Sequence, residues 1–404
     1  MHKTIVFLLF ALFAAQSVQA APSWKPAQAE ILLRWIERAD DEAIELPAGS
    51  ADALQAAIES GDGDELDALS LTTAREIVKA WRGSCCGERR PGWWHIEGAL
   101  SDAEIEQGLH GALEADRLEG YFHSIRPSHA HYQALAEALA RETDPARHAV
   151  LAKNLARWRW MPAELGDRYV LVNIASQQAT LWDGGILIGE WRVIIGKPTT
   201  RTPVFTTDVT GVILNPWWEI PASIAAEGIG SFVRRNPAAA RARGYVYQNG
   251  RYRQMPGDNN ALGRVKLVMP NPYGVLLHDT SNRELFSEPQ RAFSHGCVRI
   301  DRALEFAAVL LDDKKWGFDR IEAQIKTDAT LTVRLSDPVP VYVTYFTAEP
   351  ARDGSVRFFE DIYNRDGINL TVQHDRLSTD IYGSLVTGQS STSASPQGAS
   401  PCQI

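Results

Sequence analysis

RYVLVNIASQQATLWDGGILIGEWRVIIG, residues 168–196, is the stretch whose reading sets the fold. Tyr169–Ile174 and Ala179–Trp182 are apolar runs rich in β-branched and aromatic residues. Asp183-Gly184-Gly185 is a hairpin turn, and Ile186–Ile188 and Trp191–Ile195 follow as further strand. The same pattern returns at Val209–Leu214, Val265–Met269, Val275–His278, Thr330–Leu335 and Val339–Phe346. Short strands in succession, with few helices between, predict a mostly antiparallel β domain over 168–336. Between Pro221 and Arg253 the text turns polar and rich in Ala and Arg, which predicts an inserted, partly helical lobe at 221–253. Insertions of this length serve as lids or binding loops more often than as ornament.

Upstream, residues 21–150 read as a helical domain, so the fold class is α+β. Ser101-Asp102-Ala103-Glu104 is a capping box, with Leu100 and Ile105 placed to staple the helix entry. Ser128–Arg141 sets Tyr132, Leu135 and Leu139 on one helical face. Downstream, Asp301 is expected to cap a helix that carries Leu304, Ala307, Ala308 and Leu311. Residues 337–384 form a C-terminal segment that begins in strand, and the Ser- and Gly-rich text at 385–404 is expected to be disordered.

The first 20 residues have a weakly basic start, an apolar run and a Val18-Gln19-Ala20 cleavage pattern, the layout of an export signal. The apolar run is too short to cross about 30 Å of hydrocarbon, so no stable membrane insertion is expected, and a periplasmic location follows. The net charge of −9 argues against nucleic-acid partners. Four cysteines, Cys85, Cys86, Cys297 and Cys402, are too few for a disulfide scaffold. Cys85 and Cys86 are neighbours, with Cα atoms about 3.8 Å apart, shorter than the span usual across a disulfide. No role is assigned to them or to Cys402.

Chemistry concentrates in His278-Asp279-Thr280 and in Ser294-His295-Gly296-Cys297-Val298-Arg299-Ile300. A free thiol titrates near ~8.5 and reacts as thiolate. A strand-held imidazole at His278 can take its proton, and with nearby amides is expected to lower its pKa. Gly296 allows close backbone approach, and the Gly296 and Cys297 amides are placed to receive a developing oxyanion. His295 either lines that hole or orients the turn. Zinc is not expected, because a single residue between His295 and Cys297 is too short for comfortable ligand spacing. A buried, inert cysteine is the bland alternative. Nucleophile, glycine and two histidines together in an exported chain argue against it.

The Ser-His-Gly-Cys-Val-Arg string with an upstream histidine resembles the signature of the YkuD-type L,D-transpeptidases. Asn154–Trp160, Tyr169–Asn173, Val193–Lys197, Asn215–Pro221, Pro256–Lys266, Pro270–Tyr273, Leu277–Thr280 and Val339–Ala348 resemble the large, YcbB-like branch of that family. The likeness runs from about Leu69 to Asp366. It implies a YkuD-like sandwich with a substrate-capping lid at 221–253, on a helical scaffold. It implies that Cys297 attacks the third residue of a peptidoglycan tetrapeptide stem, that His278 is the base, and that a neighbouring stem's amine resolves the thioester into a 3→3 cross-link. Carbapenem-type inhibitors are implied ligands. Acyl transfer through a thioester needs no cofactor. Ser294 is a turn hydrogen-bonder or a substrate contact. Arg299 holds a substrate carboxylate or pairs with Asp301 or Glu305. Trp217 and Trp218 offer faces to sugar rings, or one of them packs in the core, with Trp218 taken as the substrate contact. Arg234, Arg235, Arg241 and Arg243 meet acidic stems or form a solvated lid face. The branch commonly has tyrosine where Leu276 stands, and no peptidoglycan-binding repeat precedes the catalytic text. The same chemistry with water or a protein lysine as acceptor gives an L,D-carboxypeptidase or amidase, or a lipoprotein-attaching or -releasing enzyme. An inactive wall-binding scaffold is the non-enzymatic alternative.

Overall fold

The computed structural model describes residues 23–83, 89–368 and 370. The expected export signal, the Cys85-Cys86 pair and the tail with Cys402 lie outside these residues. Among the described residues no helix is long and apolar enough to cross a membrane.

The chain opens with helices α1 (Pro26–Asp41), α2 (Ser50–Ser60) and α3 (Gly63–Trp81), then the short strand β1 (Trp94–His95). Helices α4 (Asp102–Glu114), α5 (Leu118–Ile125), α6 (Ala130–Leu139) and α7 (Pro145–Arg159) follow. The expected capping box forms at α4: the Glu104 amide donates to Ser101 Oγ, and the Ser101 amide donates to the Glu104 carboxylate. Helices α1–α5 share one apolar core built around Trp35, Trp81, Leu109 and Phe122. Helices α6 and α7 do not belong to it. Tyr132, Leu135, Leu151 and Trp158 join the core of the β domain instead, and Trp158 stacks on Phe346 at 4.6 Å. The helical unit expected over 21–150 is therefore divided, its last two helices packing with the sheet.

The β domain begins with β2 (Arg168–Asn173), β3 (Gln178–Asp183), β4 (Ile186–Gly196) and β5 (Val204–Leu214). An inserted lobe comes next: β6 (Trp218–Glu219), α8 (Ala222–Ile224), a π-helical turn at Ala225–Ile229, α9 (Gly230–Arg235), α10 (Pro237–Ala242), β7 (Tyr245–Gln248) and β8 (Arg251–Gln254). Then come β9 (Val265–Val268), β10 (Leu277–His278), β11 (Ala292–Ser294), β12 (Val298–Ile300), α11 (Ala303–Leu311), α12 (Phe318–Ile325) and β13 (Leu331–Thr344). The chain closes with β14 (Ala348–Pro350) and β15 (Val356–Phe358).

The sheet is mixed and barrel-like, which corrects the expectation of a mostly antiparallel one. Strands run β5-β13-β2-β3-β4-β12-β10-β9, and β9 pairs back onto β5. The β13–β2 and β10–β12 pairs inside this ring are parallel, as are β1–β5 and β11–β4 at its margins. Parallel neighbours need a crossover of about a dozen residues or more, so partners come from distant text and periodicity does not announce them.

Three boundaries also move. The lobe is wider than 221–253, because β6 pairs with β8 and its core runs from Trp218 to Leu262. The division expected between 336 and 337 falls inside β13, a single strand with an irregularity between Arg334 and Val339. Helix α11 starts without a side-chain cap: Arg302 sits there at φ +48°, and the Asp301 carboxylate pairs with Arg192 at 2.6 Å.

His129 and His131 are wedged among Trp158, Trp182 and each other. Burial pushes their imidazoles down to about 3 and about 4. An unfolded imidazole titrates near ~6.5, so the stability these neutral rings allow is complete above that pH and is lost as pH falls toward 4. Unfolding free energy is expected to drop between pH 6.5 and 4.5 by up to about 1.4 kcal/mol per pH unit for each ring. Denaturant titrations of wild type and His129→Phe at both pH values check this. An unchanged slope in the variant would contradict it.

Candidate active site

Cys297 lies one residue before β12, and His278 ends the adjacent strand β10. These strands pair in parallel, with Leu277 opposite Val298 and His278 opposite Arg299. Side chains alternate along a strand and paired residues share a face, so Cys297, Arg299, Leu276 and His278 lie on one face. The thiol is free and partly exposed. Leu276 is tied to it twice: its amide donates to Cys297 Sγ at 3.4 Å, and its carbonyl accepts from the Val298 amide at 2.8 Å. Its side chain packs against the lobe core. Leu276, where the resemblance implies tyrosine, thus holds the thiol through its backbone and meets the lobe through its side chain.

His278 is buried, and its Nδ1 lies 2.5 Å from the Asp279 carbonyl oxygen. That contact makes Nδ1 the donor and leaves Nε2 as the basic nitrogen. Desolvation, aided by the charge of Arg299, holds the ring neutral, with a pKa of about 3. Asp279 is anchored in turn, its carboxylate accepting from the Arg264 amide and from Arg283, both at 2.8 Å. Burial pushes the Cys297 thiol up, while the Leu276 amide and Arg299 pull it back only in part. No hydrogen bond joins Sγ to the imidazole among the described residues. The resting pair is therefore thiol and neutral imidazole. The lowered thiol pKa expected from the sequence is corrected, because loss of solvent outweighs the favourable partners.

Ser294, His295 and Gly296 shape the turn that delivers the sulfur. Ser294 Oγ donates to the Cys297 carbonyl at 2.6 Å and accepts from the Gly296 amide at 3.0 Å. Ser294 is fully buried, so a substrate contact is corrected to a turn-closing role. The same bond occupies the Gly296 amide, which removes it from the expected oxyanion hole. The Cys297 amide has no partner among the described residues. Gly296 is needed for its φ of +113°, outside the range that suits a side chain. His295 Nε2 meets Glu227 of the lobe's π-helical turn at 3.3 Å, and its Nδ1 has no partner.

Arg299 is 2 % exposed, and its Nε and Nη2 have no hydrogen-bond partner. The ion pairs weighed for it go elsewhere, Asp301 to Arg192 and Glu305 to Arg302. Trp218 is packed in the lobe core beside Ile220 and Val233, 4 % exposed, which corrects its expected role as a sugar platform. Its neighbour Trp217 is half-buried under Arg253, with the guanidinium 4.4 Å from the ring. Among the arginines of the lobe, Arg234 donates to Tyr252 Oη at 2.7 Å and Arg243 lies over Phe232.

The sequence reading missed the buttress behind the turn. The Gly196 amide donates to Thr202 Oγ1 at 2.9 Å, and the Thr202 hydroxyl donates to the Gly296 carbonyl at 3.0 Å. Tyr363, from the C-terminal segment, donates to the Gly196 carbonyl at 2.6 Å and accepts from the Thr202 amide at 3.1 Å. A Cβ at Gly196 would stand 2.1 Å from the Thr200 carbonyl oxygen, so the packing admits only glycine there. No local spacing in the text connects residues 196, 202, 296 and 363.

A glycine-shaped turn, a partly exposed thiol and a buried neutral imidazole on one sheet face are the parts that acyl transfer through a sulfur would require. Residues 167–341 match the profile of the YkuD family, described as the L,D-transpeptidase catalytic domain. The likeness to that family is therefore a likeness of this domain, 175 of the 404 residues. A curated Haemophilus influenzae protein named as a candidate L,D-transpeptidase is 28% identical over 308 residues, 69% of this chain and 62% of that protein. The chain thus spans less than two thirds of the relative's length. An L,D-transpeptidase from Mycobacterium smegmatis overlays with a TM-score of 0.24 at 15% identity, covering 44% of this chain and 58% of that one. L,D-transpeptidase 3 from Mycobacterium tuberculosis, solved with a faropenem-derived adduct, gives 0.23 at 14% identity over 44% and 60%.

Proposed function

We propose that this chain is a periplasmic enzyme of the large, YcbB-like branch that forms 3→3 peptidoglycan cross-links through a thioester on Cys297. The observation that carries the reading is the partly exposed thiol on the same face, one strand away, as the buried neutral imidazole of His278. Cys297 attacks the carbonyl of the third stem residue while His278 Nε2 accepts the thiol proton. The tetrahedral oxyanion meets the Cys297 amide. The intermediate collapses by breaking the bond to the terminal D-alanine, whose departing nitrogen takes the proton from His278. A side-chain amine from a second stem then attacks the thioester, giving up its proton as the thiolate leaves and is reprotonated. Neutral resting partners suit this course, since His278 Nε2 takes the proton from the sulfur, passes it to the departing nitrogen and is neutral again before the second step.

The experiment is digestion of tetrapeptide-rich sacculi treated with purified enzyme, wild type and Cys297→Ala. Wild type is expected to yield 3→3 dimers and free D-alanine, and the variant neither. Shortened stems without dimers would replace the transpeptidase with an L,D-carboxypeptidase. A protein lysine as acceptor would appear as stem fragments attached to a polypeptide. A carbapenem is expected to leave a covalent mass adduct on the same sulfur. No product and no adduct in folded, reduced protein would favour the inactive scaffold.

A further inference from the structure

A row of side chains crosses the sheet at the site. Ile213 of β5 stands opposite Lys266 of β9, Lys266 opposite His278 of β10, and His278 opposite Arg299 of β12. Members of such a row share one face, about 4.8 Å from strand to strand. A cation therefore stands on each side of the imidazole, and both act on it to disfavour its protonated form. Neither is neutralised. Lys266 is half-buried, and its ammonium makes no hydrogen bond or ion pair with any described residue. Arg299 is almost fully buried with two unpartnered N–H nitrogens. The carboxylates that sense them are Glu219, committed to Arg253 at 2.6 Å, and Glu284, which forms no ion pair with Arg299. A buried guanidinium with idle donors is costly unless something anionic completes it.

We propose that Lys266 and Arg299 form a two-cation cradle that holds the free carboxylate of the donor's terminal residue beside His278. The inference rests on the transpeptidase reading above and adds to it how the enzyme selects a stem end. Cys297 and Arg299 are two residues apart on one face, about 7 Å along the strand. That is close to the span of one residue plus a hydrogen bond to its carboxylate. A carbonyl placed at the sulfur therefore sets the following carboxylate at the cations. The cradle makes the site an end-reader: it accepts a stem with one residue beyond the scissile bond and rejects a stem that continues or is capped. Holding the leaving residue also aligns its nitrogen with His278, which must pass to it the proton taken from the thiol.

The test compares a tetrapeptide donor bearing a free terminal carboxylate with the same donor as its terminal amide. Acyl transfer is followed in wild type, Lys266→Met and Lys266→Arg. A charge-assisted hydrogen bond contributes about 1.5–3 kcal/mol, or roughly 10- to 100-fold. Wild type is expected to prefer the carboxylate donor by that factor in kcat/KM. Lys266→Met should lose about tenfold on the carboxylate donor and little on the amide, and Lys266→Arg should retain the preference. Alkylation of Cys297 by neutral iodoacetamide should be equal in all three, which reports an intact site. Equal losses on both donors, or a wild type indifferent to the terminal group, would overturn the cradle while leaving the transpeptidase standing. Turnover of neither donor would overturn the transpeptidase and the cradle with it.

Discussion

His278→Ala is expected to slow acyl transfer by about 10²- to 10⁴-fold, the usual worth of a positioned base, and Cys297→Ala to abolish it. The more telling result concerns pH. With burial pushing the thiol up and desolvation keeping the imidazole neutral down to about pH 3, the two do not rest as an ion pair. Alkylation of wild-type Cys297 by iodoacetamide should therefore still be climbing at pH 9, with no plateau between pH 5 and 8. His278→Ala should lower turnover while leaving that alkylation profile nearly unchanged, because the imidazole matters when the proton moves and not before. A flat, fast alkylation rate across neutral pH, lost in the His278 variant, would show a preformed thiolate–imidazolium pair and refute this account. The distinction bears on inhibition: a neutral thiol requires an electrophile that sits long enough for His278 to take the proton.

The second large effect is on stability. Glu42, at the end of α1, is 3 % exposed and collects donors from four directions. Its carboxylate accepts from Trp81 Nε1 at 2.9 Å, from Arg126 Nε at 2.7 Å and from Tyr132 Oη at 2.5 Å. Its carbonyl accepts from Arg159 at 3.0 Å. One residue thus fastens α1 and α3 to α6 and α7, joining the helical core to the β-domain core. Glu42→Ala strands a guanidinium, a phenol and an indole inside the protein. The expected loss is about 3–5 kcal/mol, the range for breaking a buried pair on one side. Glu42→Gln should cost less, since an amide oxygen can still accept. Guanidinium titration followed by tryptophan fluorescence reads both. A loss below about 1 kcal/mol for the alanine variant would mean that the contacts are replaced by solvent.

The text disclosed what is local. Strand periodicity placed most of β2 to β5, the capping box placed the start of α4, and three apolar positions placed α6. The nucleophile and its histidine could be read because the motif is short and chemically unusual. Pairing could not be read. The parallel β13–β2 and β10–β12 contacts depend on crossovers that leave no periodic trace, so an alternation of strands looked antiparallel. Short elements such as β1, β11 and β12 carry too few residues to show a pattern. At the site, Gly296 was singled out for the right flexibility, but its amide was assigned to an oxyanion when Ser294 consumes it. Trp218 looked available because aromatic residues near a lid suggest ligands. The lobe needed a core of its own, and a large ring supplied it. Lys266 drew no attention because its partners are fixed by register alone.

The placement of α6 and α7 also limits how this catalytic unit can be moved about as genetic material. Asn154 and Arg157 of α7 reach Thr347, and Arg157 continues to the Asp366 carboxylate, closing a polar knot that lies wholly outside residues 167–341. A fragment cut at those limits would leave Phe346 without Trp158 and the turn holding Gly196 without Tyr363. The inheritable module is therefore longer than the recognisable one, and any shuffling event that preserved activity had to carry two helices and a C-terminal strap along with the strands.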